Sequence, residues 1–255
     1  MLTASITLHS NLECSSTSVD SAFVIGAPNI TVNLNGYTIS AAPPTSPSCC
    51  LHGAGVLDGG SAPGIGSVYP PYNGVTVKNG DITGLVSSTQ ADGVSGWRVT
   101  GITSAPSSYV IGGAKSVFLD GTTGAVITND VFNGVFDGVS VWSYGSNGTL
   151  VSGVTITGGA GPEQLTNGDG ACGICSSNDT SDSFVNNDIL SAAGIGVTDG
   201  TDITAADNRV EGGGIYDFGS LHSIWKNNTT NGIETSDGNG ITWTGNRLIS
   251  LAPRC

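Results

Sequence analysis

Asp92, Asp137 and Asp169 each stand directly before a glycine that opens a short run, in Asp92-Gly93-Val94, Asp137-Gly138-Val139 and Asp169-Gly170-Ala171. If those glycines mark one point of a repeating unit, Asp137 and Asp169 occupy one column on successive units, about 5 Å apart. Two carboxylates that close repel, and such a pair persists by sharing a proton or by binding a cation. The first arrangement makes a general acid–base pair; the second makes a calcium site on Asp137 and Asp169. Glu163 adds a third carboxylate to this stretch. The competing reading is that Asp-Gly is simply a turn dipeptide.

A second constellation lies further on. Tyr216 and Asp217 are adjacent in a strand-like run, so only one of them faces outward. An inward Asp in a thin apolar core is costly, which places Asp217 outward or at the strand end. His222 and Lys226 follow in the same unit, as acid or base candidates or as solvated surface groups. Trp142 and Tyr144, with Tyr109, are aromatic platforms for a ligand, or else covers for the side of the fold. Arg209 and Arg247 fall in one column with Thr229 between them. His9, His52 and His222 are too scattered to make a metal-ligand spacing.

The elements that position these residues repeat. Gly-Ile recurs at Gly194, Gly214 and Gly232, and an Asn closes each line at Asn208, Asn228 and Asn246, both with spacings of 20 and then 18 residues. Each line holds runs of three to five residues in apolar alternation, bounded by Gly, Asn and Asp, which reads as short strands. One line cannot bury its own apolar side. Stacked lines form parallel sheets around a continuous core, and the recurrent Asn becomes a ladder of amides. Asn129 and Asn187 are expected in the same column. Residues 41–72, with six prolines, predict a long loop with a strand at Gly55-Val56-Leu57-Asp58. Excursions at 104–114, 142–149 and 158–168 predict the walls of a groove.

Two phrases carry a family likeness: Asn29-Ile30-Thr31-Val32-Asn33-Leu34-Asn35-Gly36-Tyr37-Thr38-Ile39-Ser40 and Asn73-Gly74-Val75-Thr76-Val77-Lys78-Asn79-Gly80-Asp81-Ile82-Thr83-Gly84. They resemble the opening coils of the pectate-lyase-like superfamily of right-handed parallel β-helix proteins, and the resemblance extends over roughly residues 22–250. It implies an all-β fold, a single-stranded right-handed parallel β-helix solenoid with mid-stack loop insertions. One domain is expected over 1–255, with 1–28 as the N-terminal cap region and first coil. The superfamily hosts lyases, hydrolases, epimerases, phage spikes and adhesins, so fold does not fix chemistry. The leading expectation is a secreted enzyme that cleaves a polysaccharide, as a uronate lyase or an acid–base hydrolase. Asp137, Glu163, Asp169 and Asp217 would be catalytic; Trp142, Tyr144, Tyr216, His222 and Lys226 would bind substrate; calcium is the cofactor of the lyase reading. The alternative is a non-catalytic adhesive or sugar-binding β-helix. Polygalacturonase-like Asn-Thr-Asp, Asp-Asp and Gly-His-Gly motifs are represented only by Asn167-Gly168-Asp169, and Tyr216, Asp217 and His222 only loosely echo the mannuronan epimerase pattern. No catalytic residue therefore carries over by position.

Charge narrows the partners. The net charge is −13, from 20 acidic and 7 basic residues, which leaves too few cations to grip nucleic acid or an anionic membrane. No apolar run reaches the 18 residues of a membrane-spanning helix. Met1-Leu2-Thr3-Ala4-Ser5 is no signal peptide, and the expectation is a chain whose secretion signal has been removed. The six cysteines, Cys14, Cys49, Cys50, Cys172, Cys175 and Cys255, fit an oxidising compartment. Cys172-Gly173-Ile174-Cys175 reads as a structural disulfide or buried thiols in preference to a metal site. Sequons begin at Asn29, Asn147, Asn178, Asn227 and Asn228.

Overall fold

Among the described residues, the bends of the stacked coils are marked by residues in left-handed backbone that recur in three columns. One column of corners runs through Asn79 (φ 61°), Gly101 (φ 64°), Asn129 (φ 58°), Gly153 (φ 64°), Asn186 (φ 55°), Asp207 (φ 57°), Asn227 (φ 54°) and Gly245 (φ 68°). Asn and Asp, the short polar residues that tolerate this region, alternate there with glycine. The other two columns include Gly148, Ser181, Asp202 and His222, and Gly145, Asn178, Asp199 and Gly219. Between corners the runs are too short for anything but strands, and each strand pairs with the equivalent one on the next coil.

The computed structural model describes residues 1–14, 21–41, 53–61, 68–105, 115–133, 139–157, 172–190, 194–211, 213–236 and 238–249. Among these, nine strands from Phe23–Val24 to Ile233–Ser236 form one parallel sheet. The other parallel strands make two further ranks, fused into one sheet where the long strands Thr76–Thr83 and Arg98–Ala105 run through both. One short antiparallel pair, Gly60–Ser61 with Val68–Tyr69, stands apart. The protein is thus an all-β parallel β-helix. No helix among the described residues is long and apolar enough to cross a membrane.

Register explains the core. Val56, Thr89, Val117, Val141, Ile174, Ile195, Ile215 and Ile233 lie in one inward column. The four largest fully buried side chains are Trp97, Trp225, Phe132 and Phe184, and Trp225 stacks on Trp243 at 5.1 Å between ring centroids. A single coil could bury none of this; the stack buries it all.

The asparagine ladder is present. Asn187 Nδ2 donates to Asn208 Oδ1 at 3.0 Å, Asn208 to Asn228 at 2.9 Å and Asn228 to Asn246 at 2.9 Å. Each of these Oδ1 atoms also accepts the backbone N–H of the preceding ladder residue. Asn129 is not in this column. It is the left-handed corner residue, and Asp130 holds the ladder position in its coil, accepting the Ile102 N–H at 2.7 Å. The sequence alignment was therefore one residue early in that coil. The strand expected around Gly55–Asp58 is Ala54–Asp58. The excursion expected at 142–149 does not exist: Val139–Tyr144 is a strand of the nine-stranded sheet, followed by an ordinary corner pair at Gly145 and Gly148. Of the excursion expected at 104–114, residues 104–105 instead end the strand Arg98–Ala105; the rest of it, and all of the one expected at 158–168, lie outside the described residues.

Asn228→Ala would leave the Asn208 backbone N–H without its acceptor inside the core, and would remove one acceptor of the Asn208 amide and the amide donor to the Ala205 carbonyl. We predict a loss of about 3–5 kcal/mol in urea denaturation, against a smaller loss for Asn246→Ala at the part-buried end of the ladder.

Candidate functional site

The outward side chains of the nine-stranded sheet carry most of the chemistry. Phe118, Trp142 and Cys175 stack in one outward column. The Phe118 and Trp142 rings meet edge to face, with centroids 5.9 Å apart. Lys115 lays its ammonium over both, 4.6 Å from the Trp142 centroid and 5.1 Å from that of Phe118. Burial lowers the Lys115 pKa from its ordinary value, while the two rings favour the charged form. Val139, Cys172 and Cys175 pack with Trp142, and the cysteines close a disulfide. Cys14 is the free cysteine among the described residues.

The next outward column holds Asp92, Asp120, Tyr144 and Ser177 on successive coils. Adjacent strands are about 4.8 Å apart, so Asp92 and Asp120 form an in-register carboxylate pair. Burial first, and then the charge of Asp120, raises the Asp92 pKa. The Asp92 carboxylate lies over Gly60, where any Cβ would overlap it. Tyr144 is 46% exposed beside the pair. Three coils beyond Trp142, or about 14 Å along the axis, Tyr216 and Phe218 face outward and stack at 6.5 Å. Between the two aromatic groups the outward residues are small: Cys175, Gly196, Ser177 and Thr198. Two aromatic shoulders thus flank a hydroxyl-bearing floor.

The expected Tyr216–Asp217–His222–Lys226 constellation is dispersed. Tyr216 faces outward, but Asp217 points inward and is fully buried. Trp225 Nε1 donates to Asp217 Oδ2 at 2.6 Å, and this bond, together with burial that raises its pKa, is what makes an inward Asp tolerable. Asp217 therefore has a core role, against the expectation of an outward one. His222 is a left-handed corner residue paired with Asp202 at 3.6 Å, both largely exposed. Lys226 lies between Ala206 and Thr244 on the other sheet. Arg209, Thr229 and Arg247 share a column as expected, and Arg209 pairs with Asp188 and Glu211.

Asp137, Glu163 and Asp169 lie outside the described residues, in segments that precede the strands beginning at Val139 and Ile174. Asp92 was expected in their column. It falls instead at the end of its strand, paired with Asp120. Sequence reasoning missed Asp120, Phe118 and Lys115. The signal was there: Lys115-Ser-Val-Phe118-Leu-Asp120-Gly121 matches Val139-Ser-Val-Trp142-Ser-Tyr144-Gly145 position for position, with the glycine closing the strand. No group of three or more His, Cys, Asp or Glu able to hold a metal occurs among the described residues.

No family model matches the sequence, and no curated protein matches it. Among solved structures, the chain is similar to the full-length tailspike protein 2 of the Escherichia coli O157:H7 bacteriophage CAB120, at 11% identity and a TM-score of 0.40, covering 91% of this chain and 31% of that one. It is also similar to the A-module of the mannuronan C-5 epimerase AlgE4 of Azotobacter vinelandii, at 12% identity and a TM-score of 0.32, covering 92% of this chain and 78% of that one. The chain thus spans 31% of the tailspike's length.

Asp120→Asn removes the like charge beside Asp92 but not its burial. We predict that the Asp92 pKa, followed by carboxyl-carbon NMR titration, falls part of the way to its ordinary value; an unmoved Asp92 would show that the two carboxylates do not interact.

Proposed function

We propose that this protein is a secreted enzyme that binds a polysaccharide along the outer face of its nine-stranded sheet and cleaves it by acid–base hydrolysis at Asp92 and Asp120. The supporting observation is the in-register Asp92–Asp120 pair next to the aromatic surface of Phe118, Trp142 and Tyr144. Sugar rings present apolar faces that pack on aromatic rings, and hydroxyls that bond to groups such as Ser177 and Thr198.

The roles follow from environment. Asp92, whose burial and acidic neighbour favour the protonated form, is the acid that delivers a proton to the glycosidic oxygen. Asp120 is the carboxylate that attacks or stabilises the anomeric carbon as the leaving group departs. Carboxyls carried on Cα partners of adjacent strands, about 4.8 Å apart, fit a retaining route better than an inverting one; in it water later releases the sugar and Asp92 takes the proton back. Asp137, Glu163 and Asp169 remain candidates on sequence grounds alone.

A second reading draws on Lys115, whose burial lowers its pKa. In a uronate lyase, Asp92 and Asp120 would hold a cation such as calcium that offsets the sugar carboxylate; Lys115, once deprotonated, would take the C5 proton as the C4–O glycosidic bond breaks and the departing oxygen takes a proton from water. A binding protein without turnover is the third.

A polysaccharide panel assayed with and without EDTA separates them. New reducing ends insensitive to EDTA support hydrolysis, and EDTA-sensitive ultraviolet absorbance of unsaturated ends supports the lyase. Binding without product would leave only the sugar-binding role, and no binding would overturn the reading. We predict that Asp92→Asn and Asp120→Asn lower kcat about 10²–10⁴-fold with unchanged melting. Trp142→Ala should weaken substrate binding about three- to tenfold. Hydrolysis should also fall as pH rises through the raised pKa of Asp92.

A further inference from the structure

We propose that Asp179 and Asp182, sealed inside the solenoid, share a single proton, and that holding this proton keeps the middle coils tightly closed. The pair sits on the inward side of one coil. Asp179 is 1% and Asp182 0% exposed. Ser146 N–H donates to Asp179 Oδ1 at 2.6 Å, and Thr149 N–H to Asp182 Oδ1 at 2.7 Å. Ser176 Oγ donates to Asp179 Oδ2 at 2.8 Å, and Ser143 Oγ approaches Asp182 Oδ2 at 3.4 Å. Ser143 and Ser176 are register partners on adjacent strands, so the two Oδ2 atoms they touch belong to neighbouring carboxyl groups. Two ionised carboxylates sealed there would repel with no water to screen them, and a proton on one relieves that repulsion.

Among the described residues, no cation faces the pair. The preceding coil presents Ser143, Ser146 and Thr149, and the following coil presents Val197 and Ile203 around Gly200. None of these is titratable. The ion pairs among the described residues join Arg209 to Asp188 and Glu211, and His222 to Asp202. The proton is what remains to relieve the repulsion. Consistently, burial and then the charge of Asp179 push the Asp182 pKa up to about 8, and burial raises that of Asp179.

The direction of the pH effect follows. A carboxyl with a raised folded pKa gives its full stability below the ordinary value near 4. It loses that stability as pH rises toward about 8, at up to about tenfold in the folding equilibrium per pH unit for one proton. Asp58 and Asp130, each raised to about 7 by burial, and Asp217 add slopes of the same sign, so the pair must be isolated by substitution.

Thermal unfolding of the full chain from about pH 4 to about pH 9, with Asp182→Asn alongside, provides the test. The amide donates to Asp179 at every pH, as the protonated acid does at low pH. The wild type should lose melting temperature as pH rises, and the variant should gain on it steadily across the range. A constant difference between the two overturns the proposal. So does a wild-type rise in melting temperature with added calcium at about pH 8 that Asp182→Asn lacks, because a metal ion would then be the counter-charge. If Asp182→Asn does not fold, Asp179→Asn carries the same expectation. In either case, a wild-type infrared spectrum at about pH 6 without a protonated-carboxyl band would overturn it.

Discussion

A chain that bends sharply three times per coil breaks its own sheet three times per coil, and the backbone N–H beside each break must find an acceptor without water. Some of these groups reach a backbone carbonyl on the next coil, and others a side-chain oxygen there. Ile102 uses Asp130, Thr122 uses Ser146, Ser146 uses Asp179, Thr149 uses Asp182 and Val154 uses Asn187. The asparagine ladder is the same device at its most regular, because an amide also has a donor to pass on. An unpaired buried N–H costs about 1–3 kcal/mol, so these contacts decide which polar residues the core admits. They account for a β-helix whose interior contains acids and serines as well as valine and isoleucine.

The same stacking makes the outer surface. Because residues at one register position lie directly above one another, a face is read down columns, not along the chain. Phe118 and Trp142 become neighbours, as do Asp92 and Asp120, although more than twenty residues separate each pair. Along the axis the outer face changes its chemistry: aromatic and cationic at Phe118 and Trp142, small and hydroxylic at Ser177 and Thr198, then aromatic again at Tyr216 and Phe218. The closing disulfide at Cys172 and Cys175 sits under the first of these surfaces.

Much of the fold was legible because its signals are local. The Gly-Ile and Asn spacings are set by coil length, which changes only from 21 to 20 to 18 residues between Ile174 and Ile233. Legibility failed where two adjacent residues both suit a corner. Asn129 and Asp130 are both turn-forming, and only the stack distinguishes the left-handed residue from the ladder residue. Asp-Gly misled for a related reason: in Asp92-Gly93 the glycine closes a strand, while Gly138 precedes one. Asp217 was misplaced because pattern alone cannot reveal Trp225, the indole that makes its burial bearable.

From Ile102 onward each of those side-chain acceptors is delivered by the coil that comes later in the chain. A coil emerging from the ribosome therefore stays incomplete until its successor, some 20 residues behind it, has also emerged. At the N-terminal end the polarity reverses, and Ser5 and Asn11 of the first coil receive the N–H groups of Thr31 and Thr38. Each coil's closure thus depends on the next, and removing a later coil would bare the N–H groups of the one before it.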